Sequence, residues 1–368
     1  MNGSSFLKEI GRSYIVSSFL PSALFVSLGI LIFRGFTPEF VLKGIQIMNS
    51  FIGMNKPASL SIASMFMLLV ITSWVAFYLY SSTDWTIKLY EGYGFPQFIS
   101  MILIFRIRQS WHQKQIEIYE AMRGEFKKPA KLQDDDFKDR RKLALIEIQG
   151  LEGESPIDEN DLLPTRLGNV LRASELYADE KYKLNSLVMF PKLIHVLPSH
   201  FANELEDKNN RFIFLLHSSF LSCILGLVSL IVGLADIIAV PLCKYTFMPN
   251  FFANSVCAKG FIYRGFSVLS PGGYLLLGLL FFITGYIIYR ISVSAAREFA
   301  LQIRAGFDLY RFDLLRQLNY QLPATLNEEK QIWELLSEYF IAGNRLQFAD
   351  VSFPYQYYER SKSNQSKE

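Results

Sequence analysis

An all-α membrane protein is the fold class that this chain predicts: four transmembrane helices arranged as two hairpins, joined to a helical cytosolic domain. Three observations predict it. Hydrophobic residues fill 51% of the 368 positions and aromatic residues 15%, too apolar for an ordinary soluble domain and too polar for a chain wholly inside a bilayer. The excess is gathered in four runs with few or no charges: Tyr14–Phe33, Leu60–Tyr80, Ile213–Ala235 and Tyr274–Tyr289. Three of these approach the ~20 residues that a helix needs to cross the hydrocarbon core, and the uncharged Ile291–Ala296 extends the fourth. Finally, the fourth run passes into a charged segment without losing helical rhythm. Val293, Ala296, Ala300, Ile303, Phe307, Tyr310 and Leu314 recur at alternating spacings of three and four, the seam of a helix packed along a partner. The fourth span therefore continues as a long cytosolic helix, about 65 Å from Tyr274 to Leu318 at 1.5 Å per residue.

Charge sets the expected topology. Of 37 lysines and arginines, 30 fall in residues 1–13, 106–211 and 290–368. The short connections near 35–58 and 237–272 hold only Lys43, Lys56, Lys244, Lys259 and Arg264. The positive-inside rule then puts both termini and the large polar segments in the cytoplasm. A signal peptide competes for Lys8, Arg12 and the first run, but that run exceeds a signal h-region and no small-x-small cleavage pattern follows closely. The expected organisation is a first transmembrane hairpin (1–96), a cytosolic helical segment (97–211), a second hairpin (212–290), cytosolic helices completing the soluble domain (291–350) and a mostly disordered polar tail (351–368).

Within the first hairpin, Pro21 interrupts a span, which is tolerable where a neighbour satisfies the carbonyl it frees. The second span ends in a belt of Trp74, Tyr78, Tyr80 and Trp85, rings that favour the membrane interface. Glu91–Gly92–Tyr93–Gly94–Phe95–Pro96 breaks the helix. A long helical pattern follows over Gln97–Lys128. Asp134–Asp136 ahead of Arg140, Arg141 and Lys142 then suits a helix running to about Gln149.

After an acidic loop at Glu152–Asp161, Leu163–Asn169 opens a helix with Leu167, Leu171 and Ser174 or Leu176 as its packing face. Gly168 inside it costs about 1 kcal/mol against alanine and so marks a close helix contact. Asn169, Arg172, Glu175 and Asp179 form a polar stripe. Leu187–Leu197, with Pro191, is too short to span and reads as a surface or core segment. In the third span Ser219, Ser222, Gly226, Ser229 and Gly233 repeat at three and four, and Gly278 and Gly285 do the same in the fourth. Such small-residue seams let helix backbones approach in lipid. They fit a tight intramolecular hairpin or an oligomer interface, such as one around a pore, and spacing does not separate the two. Thr325 with Glu328, or Asn327, caps a last helix from about Glu328 to Phe340, with Ile332, Leu335 and Tyr339 facing the core and Trp333 and Leu336 flanking them.

Chemical signals are sparse. The spans carry only His217 and Asp236 as ionisable residues, which argues against a transport relay. His195 and His200 are poorly spaced for a shared ion, and a metal site wants three or four ligands, so neither metal nor cofactor is expected. Mixed basic and acidic residues give no nucleic-acid groove. Cys243 and Cys257 are a candidate disulfide if their connection faces an oxidising compartment; the alternative is two buried small side chains. Arg290, Arg297, Arg304 and Arg311, seven residues apart, form one stripe. It fits a solvated face paired with nearby acids, or a surface on which Arg290 and Arg297 meet lipid headgroups and Arg304 and Arg311 receive an anionic ligand or partner.

Two stretches carry a resemblance. Leu163–Pro164–Thr165–Arg166–Leu167–Gly168–Asn169–Val170–Leu171–Arg172–Ala173, with Glu175 and Tyr182, is one; Phe307–Asp308–Leu309–Tyr310–Arg311–Phe312–Asp313–Leu314–Leu315 is the other. Together they resemble uncharacterised bacterial multi-pass inner-membrane proteins of the same layout. That resemblance implies a bacterial inner membrane and brings no activity with it.

The sequence therefore names an architecture and not a reaction. Residues 161–185 should pack on 293–315, because neither apolar seam can be left in water, with Glu175 or Asp179 meeting Arg304 or Arg311. Function divides between a membrane-anchored interaction or signalling protein, whose cytosolic domain holds a protein partner, and an oligomeric channel or membrane-perturbing effector gated by that domain. An enzyme is the reading with least support, for want of a catalytic constellation.

Overall fold

The computed structural model describes residues 13–32, 62–94, 96, 100–113, 154–245 and 271–342. Among them every regular element is a helix and none is a strand. The elements are α1 (Leu20–Ile32, preceded by a π turn at Ile15–Phe19), α2 (Ile62–Ser81), α3 (Thr83–Glu91), α4 (Arg166–Tyr182), α5 (Ser186–Ile194), α6 (Ser199–Tyr245), α7 (Pro271–Gln317) and α8 (Leu326–Ala342). Residues 100–113 are also helical, and Glu159–Asp161 form a short 3-10 turn. Two stretches, Ser199–Ala235 of α6 and Gly272–Gln317 of α7, are long and apolar enough to cross a membrane. The first two expected spans contribute shorter apolar helices, Ile15–Ile30 and Leu68–Ser81. The expected helix at 134–149, the tail 351–368 and Cys257, with it the candidate Cys243–Cys257 pair, lie outside the described residues.

The chain divides into two units, Met1–Lys88 with Asn210–Ser294, and Leu89–Asn209 with Ala295–Glu368. The first unit buries hydroxyls alongside apolar residues such as Leu79, Leu216 and Tyr274, and leaves many large apolar side chains outside. Ser17, Ser18, Ser22, Thr72, His217, Ser219, Ser229 and Ser292 are buried inside it, while Leu24, Phe66, Trp74, Phe77, Leu276 and Tyr286 are each more than half exposed. A water-soluble bundle would bury the second set, because each large apolar side chain taken out of water contributes about 1.5–3 kcal/mol. Close packing of α6 on α7 follows from their small residues. A Cβ at Gly226 would lie 3.1 Å from the Gly278 carbonyl, and one at Gly278 would lie 3.0 Å from the Gly226 carbonyl. Ser219 and Ser222 donate hydroxyl bonds to the carbonyls of Gly285 (2.8 Å) and Phe281 (2.9 Å).

Pro21 has the consequence its position implies. Having no N–H, it cannot bond the carbonyl four residues back, that of Ser17. The backbone widens into the π turn there, and His217 Nδ1 donates to the Ser17 carbonyl at 2.8 Å. His217 is fully buried, and its position in the span serves this bond. Tyr14 fastens α2 to the same region through a bond to the Ser73 carbonyl and an edge contact with Tyr80.

In the second unit α4, α5, α8 and the adjoining parts of α6 and α7 enclose one apolar core. Its members include Ala178, Tyr182, Leu184, Met189, Leu193, Leu197, Phe307, Leu314, Trp333 and Leu336. The apolar seam of α7 faces this way: Ala296, Ala300, Phe307 and Leu314 are all buried. Leu187–Leu197 resolves as a core segment, since Met189 and Leu193 are fully buried although Leu187 is exposed. Two faces differ from the sequence expectation. In α4 the inner residues are Leu167, Val170, Ala173, Ser174, Ala178 and Tyr182, with Leu171 and Leu176 only partly covered. In α8 the innermost residues are Trp333 and Leu336, whereas Tyr339 is exposed. Glu329, four and seven residues before Trp333 and Leu336 and so on the same helical face, is buried with them and pairs with Arg311.

Candidate functional site

The site is built where the two motifs meet, and it begins with how α4 starts. Thr165, in extended backbone, accepts the Gly168 N–H at 3.0 Å, a standard N-cap. Its hydroxyl also donates to the Glu91 carbonyl at 3.1 Å, which ties the end of α3 to the head of α4. That same carbonyl explains Gly168, because a Cβ there would sit 2.8 Å from it. Asn169 is buried and makes a two-point bond to Leu163, accepting its N–H at 2.7 Å and donating to its carbonyl at 3.0 Å. At the other end Lys183 adopts a left-handed conformation (φ 62°) and Leu184 N–H closes on the Ala178 carbonyl, a Schellman ending. The polar stripe thus has mixed duties. Asn169 is an internal brace, and Arg172 bonds Asp161 at 2.6 Å and Glu175 at 3.3 Å.

Facing α4, the acid of the second motif gathers three donors. Asp308 accepts from Tyr177 at 2.8 Å, Tyr182 at 2.7 Å and Lys181 at 3.1 Å. Burial alone would raise the Asp308 carboxyl, but the hydroxyls of Tyr182 and Tyr177 and the Lys181 ammonium outweigh it and hold it below its usual value. The same contacts push the phenols upward. Burial, then the bond to Asp308, takes Tyr182 to about 12 and raises Tyr177 further.

Three members of the arginine stripe lie in the second unit. Arg297 binds Glu154 at 2.6 Å. Arg304 is buried with its guanidinium 4.9 Å over the Tyr177 ring. Arg311 lies 4.3 Å over the Tyr182 ring and makes a largely buried ion pair with Glu329, Nε to Oε1 2.6 Å. Stacking of this kind is worth about 0.5–2 kcal/mol depending on exposure. Arg290 belongs to the other unit and is exposed. The charge pattern therefore differs from expectation in its partners: Arg311 takes Glu329, and Glu175 takes Arg172. An acid that joins α4 to α7 is Asp308, carried by α7 itself.

Sequence reasoning missed Tyr177, Lys181 and Asp308 as one cluster. The available signal was their spacing: Tyr177 and Lys181 are one helical turn apart on α4, and Asp308 falls between Arg304 and Arg311 on α7. Among the described residues no group of three or more His, Cys, Asp or Glu could hold a metal ion. No protein-family model, no curated protein and no solved structure matches the chain.

Proposed function

We propose that this is a multi-pass protein of the bacterial inner membrane, with both termini cytoplasmic, whose helical domain holds or senses a partner. The observation that carries this reading is the apolar exterior of the first unit, where Leu24, Trp74, Phe77 and Leu276 are each more than half exposed while hydroxyls and His217 lie inside. Lipid is the solvent that tolerates such an exterior, and buried hydroxyls bonded to helix carbonyls are suited to packing inside it. Two helices of sufficient length and apolarity agree with membrane association, and the distribution of lysine and arginine supports the orientation. The likeness to uncharacterised bacterial multi-pass proteins belongs to the same proposal. A sensing or holding role draws on the second unit, whose two motifs build a polar cluster of tyrosines, lysine, arginines and Asp308 beside an ordinary apolar core.

The channel reading relied on the small-residue seams. Ser219, Ser222 and Gly226 meet Gly285, Phe281 and Gly278 of the same chain, so the seam supports a hairpin before it supports a pore. The test is the oligomeric state of the detergent-purified protein, followed by ion flux after reconstitution in liposomes. A monomer or dimer without flux is expected. A ring of four or more that conducts ions would overturn the anchor reading.

A further inference from the structure

The helix at 100–113, in the second unit, presents an apolar face to its surroundings: Met101 is 75% exposed, Ile102 52% and Phe105 61%. We infer that this face lies in the headgroup region of an anionic bilayer, so that the helix rests along the membrane surface without crossing it. The inference rests on the membrane reading proposed above and adds to it a lipid contact made by the helical domain.

The sequence shows why one protein surface cannot cover this helix. Met101–Phe105 is apolar without interruption, and five residues at about 100° each turn more than once round the axis. The domain takes one side. Ser100, Leu103, Ile104, Ile107 and Trp111 are partly buried, and the Trp111 indole N–H donates to the Pro156 carbonyl at 3.1 Å. Nearer its end, the helix is held by Arg108 and His112, which both reach the Glu159 carboxylate. Met101, Ile102 and Phe105 fall within about 100° of one another on the other side. A helix that is apolar all round is covered all round, and an interfacial helix covers its outer face by sinking it about 5–10 Å into the boundary between headgroups and acyl chains.

Charge selects lipid as the occupant. No aspartate or glutamate lies between Gly92 and Ile116, whereas Arg106, Arg108 and Lys114 do. Arg106 directly follows Phe105 and is exposed. It stands at the rim of the apolar face, about 100° round from Phe105, where a long stem lies along apolar surface and the guanidinium reaches the headgroups. An anionic leaflet favours each such residue by roughly fivefold. In chain order the helix follows the apolar α2 with only α3 and residues 92–99 between them, a short tether to any bilayer that α2 enters.

The experiment places the photoreactive p-benzoylphenylalanine at Phe105 of the full chain, reconstituted in nanodiscs of equal phosphatidylcholine and phosphatidylglycerol. Adducts are read by intact mass and peptide mapping. The same probe at Phe77, 63% exposed on α2, reports the bilayer contact of the first unit. Both positions sit outside the core, so neither probe disturbs folding. Phospholipid adducts are expected at both, with the ratio of phosphatidylglycerol to phosphatidylcholine adducts at Phe105 about fivefold that at Phe77. Arg106→Gln should bring the Phe105 ratio down toward that at Phe77. Lipid adducts at Phe77 without any at Phe105 would overturn this inference alone, whether the probe at Phe105 then joins another part of the chain, joins a second copy or stays unreacted. No lipid adduct at either position would overturn the membrane reading with it. Equal ratios at the two positions, or a ratio that Arg106→Gln leaves unchanged, would overturn the assignment of an anionic surface.

Discussion

Replacing Asn169 is the most direct test of how the first motif works. Its side chain holds both the N–H and the carbonyl of Leu163, at 2.7 and 3.0 Å, from a buried position. Alanine there would leave two backbone groups without these partners. A buried unsatisfied group costs about 1–3 kcal/mol, and Leu163 is only partly buried, so the low end applies to each. The expected loss is about 2–3 kcal/mol. At 1.4 kcal/mol per factor of ten, that is roughly 30- to 150-fold easier local opening. Hydrogen exchange of a peptide containing Leu163 reads this directly, even if global unfolding in detergent is irreversible.

Asn169→Asp refines the same test. It keeps an acceptor for the Leu163 N–H but sets a carboxylate oxygen against the Leu163 carbonyl, so the folded state favours the protonated acid. The folded value is then raised above the unfolded value of about 3.9. By linkage, stability is fullest below pH ~4 and falls as pH rises through the folded value. Exchange at Leu163 in Asn169→Asp should therefore accelerate with pH beyond its intrinsic dependence. If Asn169→Ala exchanges within about threefold of the parent, or Asn169→Asp shows no excess pH dependence, the brace is not what holds the motif.

Three further outcomes are expected. Glu329→Ala strands a buried arginine and should cost about 3–5 kcal/mol, seen as a lowered melting temperature, whereas Glu329→Gln should lose less because it keeps an acceptor for Arg311. Asp308 is held below 3.8 in the folded state, so its contribution is present above that value and is lost as pH falls through the folded value; between pH 6 and 3 the stability gap between the parent and Asp308→Asn should narrow. A Cβ at Gly285 would lie 2.9 Å from Cys223 Sγ, so Gly285→Cys should oxidise to an intramolecular cross-link, visible as a non-reducing gel shift at monomer mass, and cross-linked dimers instead would mean that the seam joins two chains.

Helical periodicity was the most legible feature of the chain. The seam from Ala296 to Leu314 depends only on spacing, and burial of those residues needs no knowledge of the partner. The cap at Thr325 was legible for the same reason, because it acts within three residues of itself. Gly168 was legible as a close contact, but its neighbour, the Glu91 carbonyl, lies 77 positions earlier. The pairings of charge were not legible. Arg311 had several acids at suitable spacings, and choosing Glu329 required the turn at 319–325 to bring α8 back along α7. Asn319 makes that turn with a positive φ of 60°. His217 likewise read as a lone ionisable residue in a span, since its partner is a carbonyl released by a proline 196 positions away.

The arginine stripe shows why the two motifs occur as a pair. A seven-residue repeat on an α-helix drifts by only about 20° per heptad, so Arg297, Arg304 and Arg311 present nearly one face along the half of α7 that belongs to the second unit. Arg297 and Arg311 meet acids there, Glu154 and Glu329. The structure also sets the rings of Tyr177 and Tyr182 against the guanidinium groups of Arg304 and Arg311, a favourable contact for a cation. The phenolic hydroxyls then need an acceptor, and Asp308 supplies it for both. One motif therefore contributes rings and the other contributes arginines with the aspartate between them. Changing either motif alone would leave the Asp308 carboxylate or the phenolic hydroxyls without the partners that the other supplies.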